Sequence, residues 1–215
     1  WADSAEKVDV LRKYVESYAL NDNIDVLEVH PDHPFDLLDC KLMKQMSNAI
    51  KSGQDTTDIV KYIQKRSASR KAKVFKPQWL SSVLTLCTFE MKDMNEIEDY
   101  TKMAEFYRQN FSMLDTAMRK IYVAWLNDEP TLRPLQEHYT QLNKELLTKW
   151  YSLNGKYTPT QAAIVANALE GDKRTAVIVC DGLRLEIAEC VAKGLTDKDM
   201  MISRNVALAA LPSVT

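Results

Sequence analysis

A run of β-branched and apolar residues closing on an acid, Thr175 to Asp181 in TAVIVCDGLRLEIAE, constrains this chain more than any other feature. Such a run reads as a parallel strand covered on both faces. Its last residue then lies at the carboxyl edge of the sheet, where open α/β sheets place their ligands. Gly182 permits a tight turn after the acid, and a helix is expected from about Leu183 to Lys193, closed by Gly194. A second apolar run, Val206 to Leu211, ends in Pro212-Ser213-Val214-Thr215 and presents two hydroxyls at another strand end. Strand, helix and strand make a βαβ unit in which the acid and a hydroxyl share one edge.

Asp181 and Thr215 are thus the candidates for chemistry, and each has a plainer alternative. Asp181 reads either as a carboxylate ligand for a divalent metal or as the N-cap of the helix that follows, a position aspartate favours. Thr215 reads either as a nucleophile, which needs a metal to become reactive near neutral pH, or as a turn threonine after a proline.

Upstream the texture is helical. Ser4 to Leu20 carries Val8, Leu11, Tyr14, Val15 and Tyr18 at helical spacing, and Phe35 to Lys51 does the same through Leu38, Leu42, Met46 and Ile50, stopped by Ser52-Gly53. Pro31 and Pro34 interrupt the chain between them, and a third helix is expected from Asp55 or Thr56 to Arg66. After Pro77 a helix passes through Trp79, Val83, Leu84 and Leu86. Tyr100 to Asn127 holds neither Pro nor Gly and reads as one helix, stopped by Asp128, Glu129 and Pro130. A helix from about Leu135 to Leu153 would pack antiparallel to it. A short helix from Pro159 to Leu169 precedes the first strand, so the organisation is an α-helical region over 1–157 and the start of an α/β core over 158–215.

Composition narrows the function classes. Of 215 residues, 46% are hydrophobic and 27% charged, the balance of a folded globular protein, and the formal charge of -2 gives no whole-chain argument for nucleic acid. The one strong bias is Lys61 to Lys76, with Lys61, Lys65, Arg66, Arg70, Lys71, Lys73 and Lys76 and no acid. It reads as a solvated helix end and linker or as a docking site for nucleic acid or an acidic partner. No run approaches the roughly 20 apolar residues of a membrane span, and no signal peptide is visible, so a cytoplasmic location is expected. Cys40, Cys87, Cys180 and Cys190 show no paired spacing and are expected to be reduced. His30, His33 and His138 read as structural or surface residues. A start at Trp1 and a sheet of only two strands suit a piece of a longer protein.

The pair VIVCDGLRLEIAECVAKGL and ALAALPSVT resembles the opening of the PglZ domain, a branch of the alkaline phosphatase superfamily, over Thr175 to Thr215. That domain opens with a strand ending in Asp, a helix start of the form Asp-Ala/Gly-Leu-Arg-x-Glu, and then a Pro-Ser-x-Thr turn. The resemblance implies an alkaline-phosphatase-like fold, Asp181 as a ligand of one of two metals, and Thr215 as the metal-bound nucleophile that attacks phosphorus. Ser213 ranks second. Arg184 and Glu186 match the helix start but stay outside the catalytic set. The implied cofactor is a pair of zinc ions, with manganese or magnesium as alternatives, whose other ligands would follow the nucleophile. These 215 residues alone are therefore expected to be inactive. The resemblance also implies a role in bacterial BREX phage defence, with other proteins of that system as partners. The contrasting expectation is a scaffold that contacts protein or DNA through its helical region.

Overall fold

The computed structural model describes residues 10, 13, 24–33, 35–69, 76–92, 94–153, 160–170, 174–180 and 182–204. These residues are mostly helical, and no strand ladder forms among them. Their contacts divide the chain into two compact units, Trp1–Met91 with Met113–Glu145, and Lys92–Ser112 with Leu146–Thr215. Of the first expected helix, residues 10 and 13 are described, and both are helical.

The first unit begins with a 3-10 turn, Val26–Glu28, whose capping Asp25 accepts the Leu27 N–H. Helix α1 (Asp36–Ser52) follows, then α2 (Thr57–Ala68) and α3 (Leu80–Thr88). Helix α1 ends as its sequence requires: Gly53 adopts φ 63°, a left-handed conformation open to glycine at little cost, and its N–H bonds back to the Ala49 and Ile50 carbonyls. Leu38, Leu42 and Met46 are buried at the expected spacing, with Met43 beside them. They face a core shared with Ile59 and Ile63 of α2 and Leu80, Val83 and Leu86 of α3. Helix α1 packs on the 3-10 turn and on α2, and α2 packs on α3. Each fully buried Leu or Ile contributes about 1.5–3 kcal/mol relative to exposure, so these interlocked stripes hold the unit together.

The run from Tyr100 departs from one uniform helix. It comprises α4 (Tyr100–Phe106), a π-helical turn at Tyr107–Phe111 and α5 (Ser112–Trp125). Within the first unit α5 buries Leu114, Ala117, Met118, Ile121 and Trp125, and Trp125 meets Trp79 edge to face at 5.3 Å.

Helix α6 (Glu129–Ser152) starts six residues before the expected Leu135. Pro130 falls in the first turn, where its missing N–H has no intrahelical role, and Pro134 lacks only the bond to the Pro130 carbonyl. Asp128 caps the start by accepting the Thr131 N–H on Oδ1. The Tyr139 hydroxyl donates to Asp115 Oδ1 at 2.7 Å. These residues are nearly equidistant from the loop between α5 and α6, so the helices run antiparallel as expected.

In the second unit Asp99 caps α4 by accepting the Lys102 N–H, and the Tyr100 hydroxyl donates to the Leu153 carbonyl at 2.9 Å while its ring leans on Trp150. Ile97, Met103, Phe111, Leu146 and Leu153 are buried here. Helix α7 (Gln161–Leu169) is capped by Thr160, and α8 spans Leu185–Thr196. Gly194 lies inside α8 instead of closing it; the left-handed position is taken later by Asp199 at φ 59°. The expected boundary between helical region and α/β core, at 157 and 158, lies outside the described residues. The described residues 174–180 are not assigned as a strand, and the second expected strand, Val206 to Leu211, lies outside the described residues.

Candidate functional site

Asp181, Ser213 and Thr215 lie outside the described residues, but the backbone leading from position 181 into α8 is described. Gly182 has φ 65°, and a Cβ placed there would meet nothing within 4 Å. Its glycine therefore answers a conformational demand and not a lack of space. Leu183 and Arg184 precede the helix, and Arg184 holds the N-cap position at φ -76° and ψ 149°, its carbonyl accepting the Ile187 and Ala188 N–H groups. The N-cap of α8 is thus three residues past Asp181, and its occupant is an arginine that makes no side-chain capping bond.

Apolar residues on this part of the chain face solvent. Val177 is 45%, Ile178 84% and Val179 84% exposed, and Ile187 and Val191 of α8 are about half exposed. After α8 the chain is tied back to it, Arg204 Nε donating to Glu189 Oε2 at 3.1 Å.

The densest polar arrangement lies in the first unit and was not singled out by sequence reading. Arg66, counted there within a basic segment, is fully enclosed. Its Nε and Nη2 donate to the two carboxylate oxygens of Asp39 at 3.0 and 2.8 Å, and Nη1 donates to the carbonyls of Pro31 and His33 at 2.9 and 2.6 Å. His33 is buried as well. Its Nδ1 accepts the Phe35 N–H at 3.3 Å, while Nε2 stands 3.9 Å from Asp39 Oδ1 without a hydrogen bond. Burial, reinforced by the Arg66 charge, lowers His33 from the ordinary 6.5 to about 4. Burial also pushes the Asp39 carboxyl up, against the pull of the Arg66 hydrogen bonds and charge. A signal for both residues was present, because Arg66 continues the stripe of Ile59, Tyr62 and Ile63, and Asp39 sits on the buried face beside Leu38 and Leu42.

Two other cations of the Lys61 to Lys76 segment are engaged. Lys61 Nζ lies 3.4 Å from Asp58, and Lys76 Nζ donates to the Ser67 carbonyl. Arg70, Lys71 and Lys73 lie outside the described residues. All four cysteines are free; burial pushes Cys40 up and Cys87 up to about 12, which holds both as thiols. Among the described residues no group of three or more His, Cys, Asp or Glu side chains could hold a metal ion, and no helix is long and apolar enough to cross a membrane. No protein-family model, no curated protein and no solved structure matches the chain.

Proposed function

We propose that this chain carries the opening of a metal-dependent phosphoric ester hydrolase of the PglZ type, with Asp181 as a metal ligand and Thr215 as the nucleophile. The observation that carries the reading is the turn after Asp181. With Gly182 left-handed and Arg184 at the N-cap, the helix does not use the acid at the capping position that would otherwise explain it. The ion pair of Arg204 with Glu189 supports the βαβ unit, because it starts the chain back along α8 in the direction a parallel return requires. The order of the motifs, VIVCDGLRLE and then LPSVT, supports the family.

Among the described residues no group of three or more possible ligands lies together, and the further ligands that the PglZ resemblance implies would follow the nucleophile. A divalent metal, zinc or else manganese or magnesium, would lower the pKa of a hydroxyl and neutralise phosphoryl charge. Asp181 would hold such an ion through its carboxylate. Thr215 would supply the hydroxyl. In a phage-defence setting the helical region would dock the other proteins of the BREX system, in the cytoplasm.

The competing reading, a scaffold that grips DNA through Lys61 to Lys76, is weakened by the burial of Arg66. The test is hydrolysis of a chromogenic phosphodiester and a phosphomonoester by the full-length protein with zinc or manganese. Activity lost in both Asp181→Ala and Thr215→Ala, with circular dichroism unchanged, supports the reading. A protein inert with every metal, yet shifted by DNA in a salt-dependent way, supports the scaffold instead.

A further inference from the structure

The segment between the 3-10 turn and α1 repeats a tripeptide, His30-Pro31-Asp32 and His33-Pro34-Phe35. In each copy the histidine accepts the backbone N–H of the third residue on Nδ1, Asp32 to His30 at 3.2 Å and Phe35 to His33 at 3.3 Å. Both bonds require an imidazole unprotonated at Nδ1, with its proton on Nε2. We propose that this His-Pro-x repeat is an acid-released clasp, which holds the entry to α1 while both rings are neutral and lets it go when either gains a second proton.

The chemistry follows from the contacts. A proton added at Nδ1 turns the acceptor into a donor facing another donor, so the turn opens at that point. Phe35 is the N-cap residue of α1, so losing its anchor loosens the helix start. Close to His33 stand Asp39 of α1, its Oδ1 3.9 Å from Nε2, and the Arg66 guanidinium of α2, whose charge disfavours a second proton on the ring. Both oxygens of Asp39 already accept from Arg66, and Nε2 of His33 lies beyond hydrogen-bond reach of Oδ1. Arg66 also grips the Pro31 and His33 carbonyls, which fixes the clasp to α2. His30 is exposed, with Asp32 beside it in the loop.

Nitrogen-15 NMR of the whole chain tests this. At neutral pH both rings are expected as the Nε2–H tautomer. On acidification the Phe35 amide should shift with the midpoint of His33. Exchange protection at Phe35, corrected for intrinsic rate, should fall about fivefold, the worth of one hydrogen bond. His30→Asn and His33→Asn keep a side-chain acceptor that does not titrate, so each should hold its amide protected across the same range. Either ring protonated at Nδ1 at neutral pH, or an asparagine variant that loses protection as the native chain does, overturns the proposal.

Discussion

Removing the Arg66 guanidinium would leave the Asp39 carboxylate inside the first unit with no charge partner, and would also strand the Pro31 and His33 carbonyls. Breaking a buried pair on one side typically costs about 3–5 kcal/mol, while replacing both partners with apolar groups is often far cheaper. Arg66→Met is therefore expected to lose about that much in urea denaturation, and Arg66→Met with Asp39→Leu to recover most of it. An Arg66→Met variant as stable as the native chain would contradict the assignment. His33 adds a pH dependence. Its folded pKa of about 4 lies below the ordinary 6.5, so the stability it contributes is full above 6.5 and is lost as pH falls towards 4. At about 1.4 kcal/mol per unit the full shift corresponds to about 3–4 kcal/mol, an upper bound that screening by nearby solvent reduces. Asp39, pushed up, works in the opposite direction over its own range, so His33→Asn is the clean comparison: denaturation followed against pH should lose this acid-side fall. The arginine was legible as a core position from its place on the Ile59 and Ile63 stripe, but the surrounding lysines give the segment the look of a solvated surface.

At the scale of elements, apolar periodicity located most helices well, and the misses have local causes. Two prolines hid the first turns of α6, because a proline is harmless where a helix has no N–H to satisfy. The π-helical turn at Tyr107–Phe111 was not legible, since the four-residue spacing of Met103, Tyr107 and Phe111 occurs equally at Leu38, Leu42 and Met46 in the regular helix α1. Gly194 misled because glycine is permissive and not an obligatory stop. Burial separates helices that hold the core together from α7 and α8, which have no buried residue among those described. Leu42 of α1 is completely enclosed, so Leu42→Ala should cost about 2–5 kcal/mol, whereas half-exposed Ile187 of α8 should cost under about 1 kcal/mol on the same change. Thermal or urea denaturation of the two variants checks this, and equal losses would mean that α8 is packed.

For the whole molecule, the helical character of the upstream chain was legible because amphipathic stripes are local signals. The α/β opening was legible only as a strand pattern and a motif, since a parallel strand is stable through neighbours it must meet. Val177, Ile178 and Val179 face solvent, and the described residues 174–180 are not assigned as a strand, so the sequence carries the plan of a sheet more plainly than the described residues do. The catalytic reading rests on Asp181 and Thr215 meeting at one edge. The measurement that tests it most directly is phosphopeptide mapping of the full-length protein, quenched with acid during turnover of a phosphoester with zinc or manganese. Label on Thr215 that disappears in Asp181→Ala is the expected result. Steady turnover with no label at Thr215, or label and rate unchanged in Asp181→Ala, would contradict the account.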